Sequence, residues 1–365
     1  MHPNEIFKLH KYRHRISEIN GQIENLLFKQ SEINNEIQHL LKVIDKYERN
    51  IEEIEHKKTK FTMKHNRSKE EEQYEMIKSN NCKNLLVSFS GGETSAFMAQ
   101  WIKKHLEDSY DRVVYVFANT GLENEQTLEF VQKCDDYWKF NVQWVECKIN
   151  PEKGQGTRYW LTDFYNAKRN GEPFEAMIAK YGIPNQSAPI CTRELKQNPI
   201  KAFAKDWFDG EKYDTAIGIR IDEADRMNAK AKEMRFIYPL IKQDMIPATK
   251  PMINFFWKQM HFRLELKGYQ GNCLTCWKKA DKKLFQIYKE NPKAFDFMDR
   301  MERKYPFNSN SGKKEVFFRN NRSATDIMCQ AENWNGVIKN DADEYTYQLD
   351  LLGGESCEVF SECGS

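Results

Sequence analysis

The sequence predicts an α/β protein built on an open, mostly parallel sheet with helices on both faces, carrying an amino-terminal coiled-coil helix and a small helical carboxy-terminal subdomain. Three observations predict it. Apolar residues across residues 9–54 recur at alternating spacings of three and four; the chain from residue 82 alternates short apolar runs with helical patterns; and a cysteine knuckle at 273–276 leads into charged, aromatic helical segments.

The amino-terminal helix rests on its seam: Leu9, Tyr12, Ile16, Ile19, Ile23, Leu26, Ile33, Ile37, Leu40, Ile44, Tyr47, Ile51 and Ile54. This heptad spacing makes residues 1–57 a coiled-coil arm. Gln30 interrupts the seam at a core position, where a polar residue fixes register at a cost in stability. Leu27, Leu41 and Val43 widen the stripe, which also suits a bundle of more than two helices or a hairpin bending at Gly21 or at Asn34 and Asn35. The period is kept through both sites and favours self-association, as a dimer or higher oligomer. Residues 58–81 are polar and charged, and form a linker or an extension of the helix.

The body comes next. Residues 85–87 and 113–117 are strands flanking a helix at 96–106, a βαβ unit, and 143–145, 215–219 and 236–241 are further strands. The body spans 82–270, and the subdomain spans 271–365, with helices across 282–305 packing over the knuckle.

Composition narrows the function. The 56 basic residues nearly balance the 54 acidic ones, so net charge gives no argument for nucleic acid or an anionic membrane. No window approaches the roughly 20 apolar residues of a membrane span, and the amino terminus lacks a signal-peptide layout; a cytoplasmic protein is expected. Nine scattered cysteines suit a reducing compartment and raise metal or redox use. Six of the eight histidines precede residue 82, which argues against a histidine-rich metallohydrolase.

The chemistry begins where the first strand meets its helix, at Ser88-Phe89-Ser90-Gly91-Gly92-Glu93-Thr94-Ser95. Two adjacent glycines allow a tight turn that aims backbone N–H groups and a helix N-terminus at one anion, with hydroxyls from Ser90, Thr94 and Ser95. No Gly-Lys-Ser/Thr follows, so this is not the kinase-type P-loop. Three motifs come after it in order: Phe117 to Glu123 (FANTGLE); Cys191 to Lys196 (CTRELK) with Pro199; and Gly218 to Glu223 (GIRIDE) with Arg226.

Together these motifs resemble the phosphoadenosine phosphosulfate (PAPS) reductase family, most closely its phage and mobile-element branch, over roughly residues 82–290. The resemblance implies the adenine-nucleotide α-hydrolase fold of the ATP-pyrophosphatase superfamily, with ATP or a related adenine nucleotide as ligand. By position, Ser90, Gly91, Gly92, Thr94 and Ser95 match the family's phosphate turn, and Asn119, Thr120 and Gly121 match the end of its second strand. Arg220 falls where the family places a basic residue against phosphate or sulfate, and a guanidinium can hold such an anion bidentately. The alternative for Arg220 is a salt bridge to Asp222 or Glu223. Arg193 and Lys196 are further candidates for the nucleotide. Many ATP-splitting members read Ser-Gly-Gly-Lys-Asp-Ser, whereas Glu93 and Thr94 stand here. Glu93 is expected to face solvent or to help hold Mg²⁺ between phosphates.

Cys273 and Cys276 form a C-x2-C knuckle whose sulfurs can share one metal atom or cluster. Cys191 is the candidate third ligand, with Cys357 or Cys363 as the fourth. Related sulfonucleotide reductases carry a [4Fe-4S] site, so the resemblance implies a cluster, with zinc as the alternative. The terminal Glu362-Cys363-Gly364 resembles the reductase tail whose cysteine attacks sulfur, although the histidine that continues that motif is missing; Cys363 is thus a candidate nucleophile or a metal ligand.

Three functions follow from this reading. The first is ATP-dependent adenylation with pyrophosphate release, linked to sulfur or thiol chemistry. The second is sulfonucleotide (PAPS) reduction. The third is a nucleotide-binding scaffold or sensor in a phage or defence assembly, recruiting a protein partner through the arm. A nucleic-acid acceptor has only the basic stretch of Lys278, Lys279, Lys282 and Lys283 behind it, and such a run is usually a solvated helix face.

Overall fold

The computed structural model describes residues 82–340 other than residues 153, 243, 272, 308–311 and 313, together with residue 15 and residues 19–22. Two compact units are present, Met1–Asn80 and Asn81–Ser365. Of the first, residues 19–22 are helical, Gly21 included. The remainder of the expected coiled coil, and the tail with Cys357 and Cys363, lie outside the described residues.

The second unit is organised by a sheet of six strands in the order β4-β3-β2-β1-β5-β6. They are β1 (Asn84–Ser88), β2 (Arg112–Asn119), β3 (Gln143–Lys148), β4 (Arg158–Thr162), β5 (Asp214–Ala216) and β6 (Phe236–Ile237). All neighbours pair in parallel except β3 and β4. β1 is central, with Val87 opposite Tyr115 on one side and Ala216 on the other. A strand covered on both faces needs apolar side chains in both directions, and all five residues of β1 are buried.

Those directions lead to separate cores. Leu85, Val87 and Phe89 face α1 (Glu93–His105), α2 (Glu125–Trp138) and α5 (Lys250–Gln259), while Leu86 faces the layer of α4 (Asn198–Trp207) with Ile200, Phe203 and Ala204. α1 carries Glu93 in its first turn and Lys103 and Lys104 in its last, each charge complementing the helix dipole.

A third core joins α3 (Glu172–Tyr181) to α6 (Asp281–Glu290), α7 (Asp296–Lys304) and α8 (Ala324–Glu332) through Phe174, Met177, Trp277, Phe295, Phe297 and Ile327. The expected helices across 282–305 are therefore α6 and α7, separated by a short 3-10 turn at Pro292–Phe295. β4 is an element the sequence pattern did not announce. It is an edge strand with Trp160 and Leu161 exposed, so no buried face imposes the alternation that marks a half-buried strand. The segment expected as a strand at 236–241 pairs only over its first two residues, because the chain turns at Tyr238, whose carbonyl accepts the N–H of Ile241 at 3.1 Å.

Candidate functional site

β2 and β3 lie on one side of β1 and β5 on the other, so the order of connection reverses at β1. In an open parallel sheet this reversal opens a crevice at the carboxyl ends of the strands, where ligands bind. Two segments enter it: the turn from Ser88 to Ser95 and the run Gly218-Ile219-Arg220 after β5.

The turn holds itself in shape. Ser95 Oγ donates to the Gly92 carbonyl at 2.9 Å and accepts from the Ser90 N–H at 3.2 Å and from Ser90 Oγ at 3.0 Å. Gly91 has φ +81°, and a Cβ there would lie 2.7 Å from the Thr127 methyl, so both conformation and space call for glycine. At Gly92 the nearest atom to an added Cβ is Ser90 Oγ at 3.9 Å, so this second glycine leaves room beside the α1 N-terminus. Gly218 presses on the same helix, where a Cβ would come within 3.2 Å of Ser95 Cα.

Arg220 reaches the first turn of α1. Its Nη1 donates to Thr94 Oγ1 at 3.1 Å, and the guanidinium is held by Asp222 (Nε to Oδ1, 3.0 Å) and Glu223 (Nη1 to Oε2, 3.2 Å), with Arg226 also on Glu223 at 2.8 Å. The salt bridge expected as the alternative for Arg220 is present, and the same guanidinium also contacts Thr94 of the glycine turn.

Glu93 has a partner that was not expected: Arg263 engages its carboxylate with Nε on Oε1 at 3.0 Å and Nη2 on Oε2 at 3.2 Å, and the side chain is 15% exposed. The Glu93 carbonyl accepts the Trp257 indole N–H at 3.0 Å, so α5 and the segment after it close over the start of α1.

The other candidates form a buried network at the carboxyl end of β2. Asn119 is fully buried; its amide donates to Glu146 Oε1 at 2.7 Å and to the Lys168 carbonyl at 2.8 Å, and its oxygen accepts the Gly121 N–H at 3.1 Å. Thr120 donates its N–H and hydroxyl to Glu123 at 2.8 to 2.9 Å. Lys196 lies in a five-residue π-helical turn, Arg193–Gln197, that points it inward to Glu123 Oε1 at 3.6 Å. Such turns recur at functional sites. Arg193 is half-exposed and donates to Glu194 at 2.7 Å, and Glu194 in turn accepts from Thr157 and Asn198. Asn119, Gly121 and Lys196, expected at the nucleotide, have protein partners in this network, as buried polar groups require, whereas Arg193 pairs with Glu194 from a half-exposed position.

The knuckle sits on this network. Cys273 Sγ is 3.7 Å from Thr120 Oγ1, and Asn124 Nδ2 donates to the Gln270 carbonyl at 2.9 Å. Burial, and then the Glu123 carboxylate, push the Cys273 thiol up to about 12, with a smaller contribution from Cys191 in the same direction. Yet among the described residues no three His, Cys, Asp or Glu side chains converge to hold a metal. Cys191, Cys273 and Cys276 do not by themselves make a cluster or zinc site, and the fourth candidate, Cys357, lies outside the described residues. Lys279 is not on a solvated face: it is 4% exposed, and its ammonium caps the carbonyls of Tyr269 at 3.1 Å and Gly271 at 2.5 Å.

Arg263 and Trp257 adjoin the turn but carried no signal in the sequence, whereas Glu123 closes the second of the ordered motifs. Arg263 follows its partner by 170 residues in no recognisable pattern, and only the packing of α5 on α1 brings it there.

A phosphoadenosine phosphosulfate reductase domain matches residues 84–194, from β1 to the start of the π-helical turn. The chain is 34% identical over 202 residues to an uncharacterized nin region protein of Escherichia phage lambda, an alignment covering 54% of this chain and 67% of that protein. It is 24% identical over 252 residues to an uncharacterized protein of Methanocaldococcus jannaschii, covering 66% of this chain and 45% of that one. The chain therefore matches less than half the length of the archaeal relative. Among the described residues no helix is long and apolar enough to cross a membrane.

Proposed function

The chain belongs to the phosphoadenosine phosphosulfate reductase family, in its phage-like branch, and from that premise we propose that it binds ATP at the Ser90–Ser95 turn and transfers the adenylyl group to an acceptor, releasing pyrophosphate. The family is one of nucleotide-binding, sulfur-related enzymes. The observation that carries the finer reading is the meeting of the glycine turn, the α1 N-terminus and Arg220 at the topological switch point.

In this reading the phosphates lie over Gly92, where the absent side chain leaves space. The acceptor's lone pair attacks the α-phosphorus, the bond from that phosphorus to the bridging oxygen breaks, and pyrophosphate leaves with the electron pair as the acceptor loses its proton. The turn N–H groups and Arg220 supply fixed positive potential for the departing charge. The Glu93 carboxylate is committed to Arg263, so Mg²⁺ would be carried by the nucleotide's own phosphates. Linkage to sulfur chemistry through Cys363, and self-association through the arm, belong to the same proposal.

Parallel incubation with ATP and with PAPS tests it. Pyrophosphate released from ATP supports adenylation; sulfite released from PAPS replaces it with sulfonucleotide reduction; and no binding of either nucleotide removes the site reading and leaves a scaffold.

A further inference from the structure

The turn of this chain has a carboxylate where an anion is to bind. Glu93 immediately follows Gly92 and opens α1, so its charge stands at the helix N-terminus that the phosphates would use. A lone carboxylate there is stabilised by the helix dipole and competes with the ligand for it. The Arg263 guanidinium meets both oxygens of Glu93, at 3.0 and 3.2 Å, from a segment distant in sequence. The pair is largely shielded, with the Arg263 side chain 24% exposed and that of Glu93 15% exposed, so solvent screens the two charges weakly. On the adjacent residue, Thr94, Arg220 makes its own contact. Two arginines from downstream of β5 thus reach successive positions of the first helical turn.

We infer that Arg263 is a positioning residue of the phosphate site: by neutralising Glu93 it allows the turn to accept a multiply charged phosphate chain, and the Glu93–Arg263 pair sets the preference for nucleotide over nucleoside. This rests on the Ser90–Ser95 turn being the nucleotide site. Charge bookkeeping gives the signs. The intact pair is neutral, removal of Arg263 leaves one negative charge beside the phosphates, and neutralisation of Glu93 leaves one positive charge.

The test measures binding of ATP and of uncharged adenosine by calorimetry, in the full chain and in the Arg263→Ala, Glu93→Gln and doubly substituted proteins. Arg263→Ala is expected to weaken ATP by about tenfold or more with adenosine unchanged, as one uncompensated charge at close range requires. Glu93→Gln is expected to tighten ATP by a few-fold, and the double variant to return near the original ratio. A purely structural clamp would move ATP and adenosine together. Should Arg263→Ala fail to fold, Glu93→Gln and the double variant still decide the question. An ATP-to-adenosine ratio unchanged across the folded variants, while the original protein binds ATP, overturns the inference alone. Absence of ATP binding by the original protein overturns the site reading and the inference with it.

Discussion

Arg220 donates from Nη1 to the hydroxyl of Thr94 at 3.1 Å, tying the segment after β5 to the first turn of α1 across the crevice beside β1. Asp222 and Glu223 hold the guanidinium in place, so it is oriented before any anion arrives. Arg220→Ala should weaken ATP binding by roughly ten- to a hundredfold, the loss of one charge-assisted contact of about 1.5–3 kcal/mol. Arg220→Lys should recover only part, because an ammonium cannot span Thr94 and two carboxylates as a planar fork does. Titration calorimetry at fixed salt checks both.

Gly91 is expected to tolerate no side chain. At φ +81°, with a Cβ only 2.7 Å from the Thr127 methyl, Gly91→Ala should cost about 1–3 kcal/mol of stability and shift the turn away from its binding shape. Thermal unfolding together with ATP titration should show both losses; an unchanged melting temperature would contradict the turn geometry.

Lys196 and Glu123 are both nearly shielded from solvent, with side chains 8% and 3% exposed. Lys196→Met removes the cation beside the buried Glu123 carboxylate, which keeps only its hydrogen bonds from Thr120, and should destabilise the protein by about 3 kcal/mol. Adding Glu123→Gln should recover much of that loss, since the buried charge is then gone. Urea unfolding of the two variants separates this pair from a direct contact with nucleotide.

Glu175 joins α3 to the end of α7, accepting from Lys304 at 2.5 Å and from the Tyr305 hydroxyl at 3.2 Å. The hydrogen bond from Lys304 holds the Glu175 carboxyl below its ordinary value. A carboxyl whose pKa is lowered by folding binds fewer protons in the folded state, so its contribution is complete above the usual glutamate range and is lost as pH falls through the lowered value. Glu175→Gln should therefore lower the melting temperature slightly at neutral pH, with the difference shrinking as pH falls below the usual glutamate range. Melting curves across that range provide the check.

The βαβ unit was legible in the sequence because its signals are local. Leu85, Leu86 and Val87 read as a buried strand, Ala96 to Ile102 as one face of a helix, and Gly91-Gly92 as the turn between them, and all stand where the pattern placed them. Order along the chain also sufficed to join this turn with Arg220, since the motifs were read as a set. β4 escaped because an exposed edge strand is under no burial constraint, and the role of Glu93 escaped because its partner is remote.

By itself, then, the sequence determined the central βαβ unit, the glycine turn and the family, each encoded in short runs whose periodicity or spacing follows from backbone geometry. Tertiary structure decided which polar side chains face the crevice and which are consumed beneath it. Asn119 and Lys196 read in sequence as nucleotide candidates, and burial gives them the protein partners Glu146 and Glu123 that the sequence did not announce. Glu93 reads in sequence as a solvent-facing or metal-binding acid, and the packing of α5 on α1 adds Arg263 as its partner. A charge acquires its role from its partner, and a partner 170 residues away is chosen by packing.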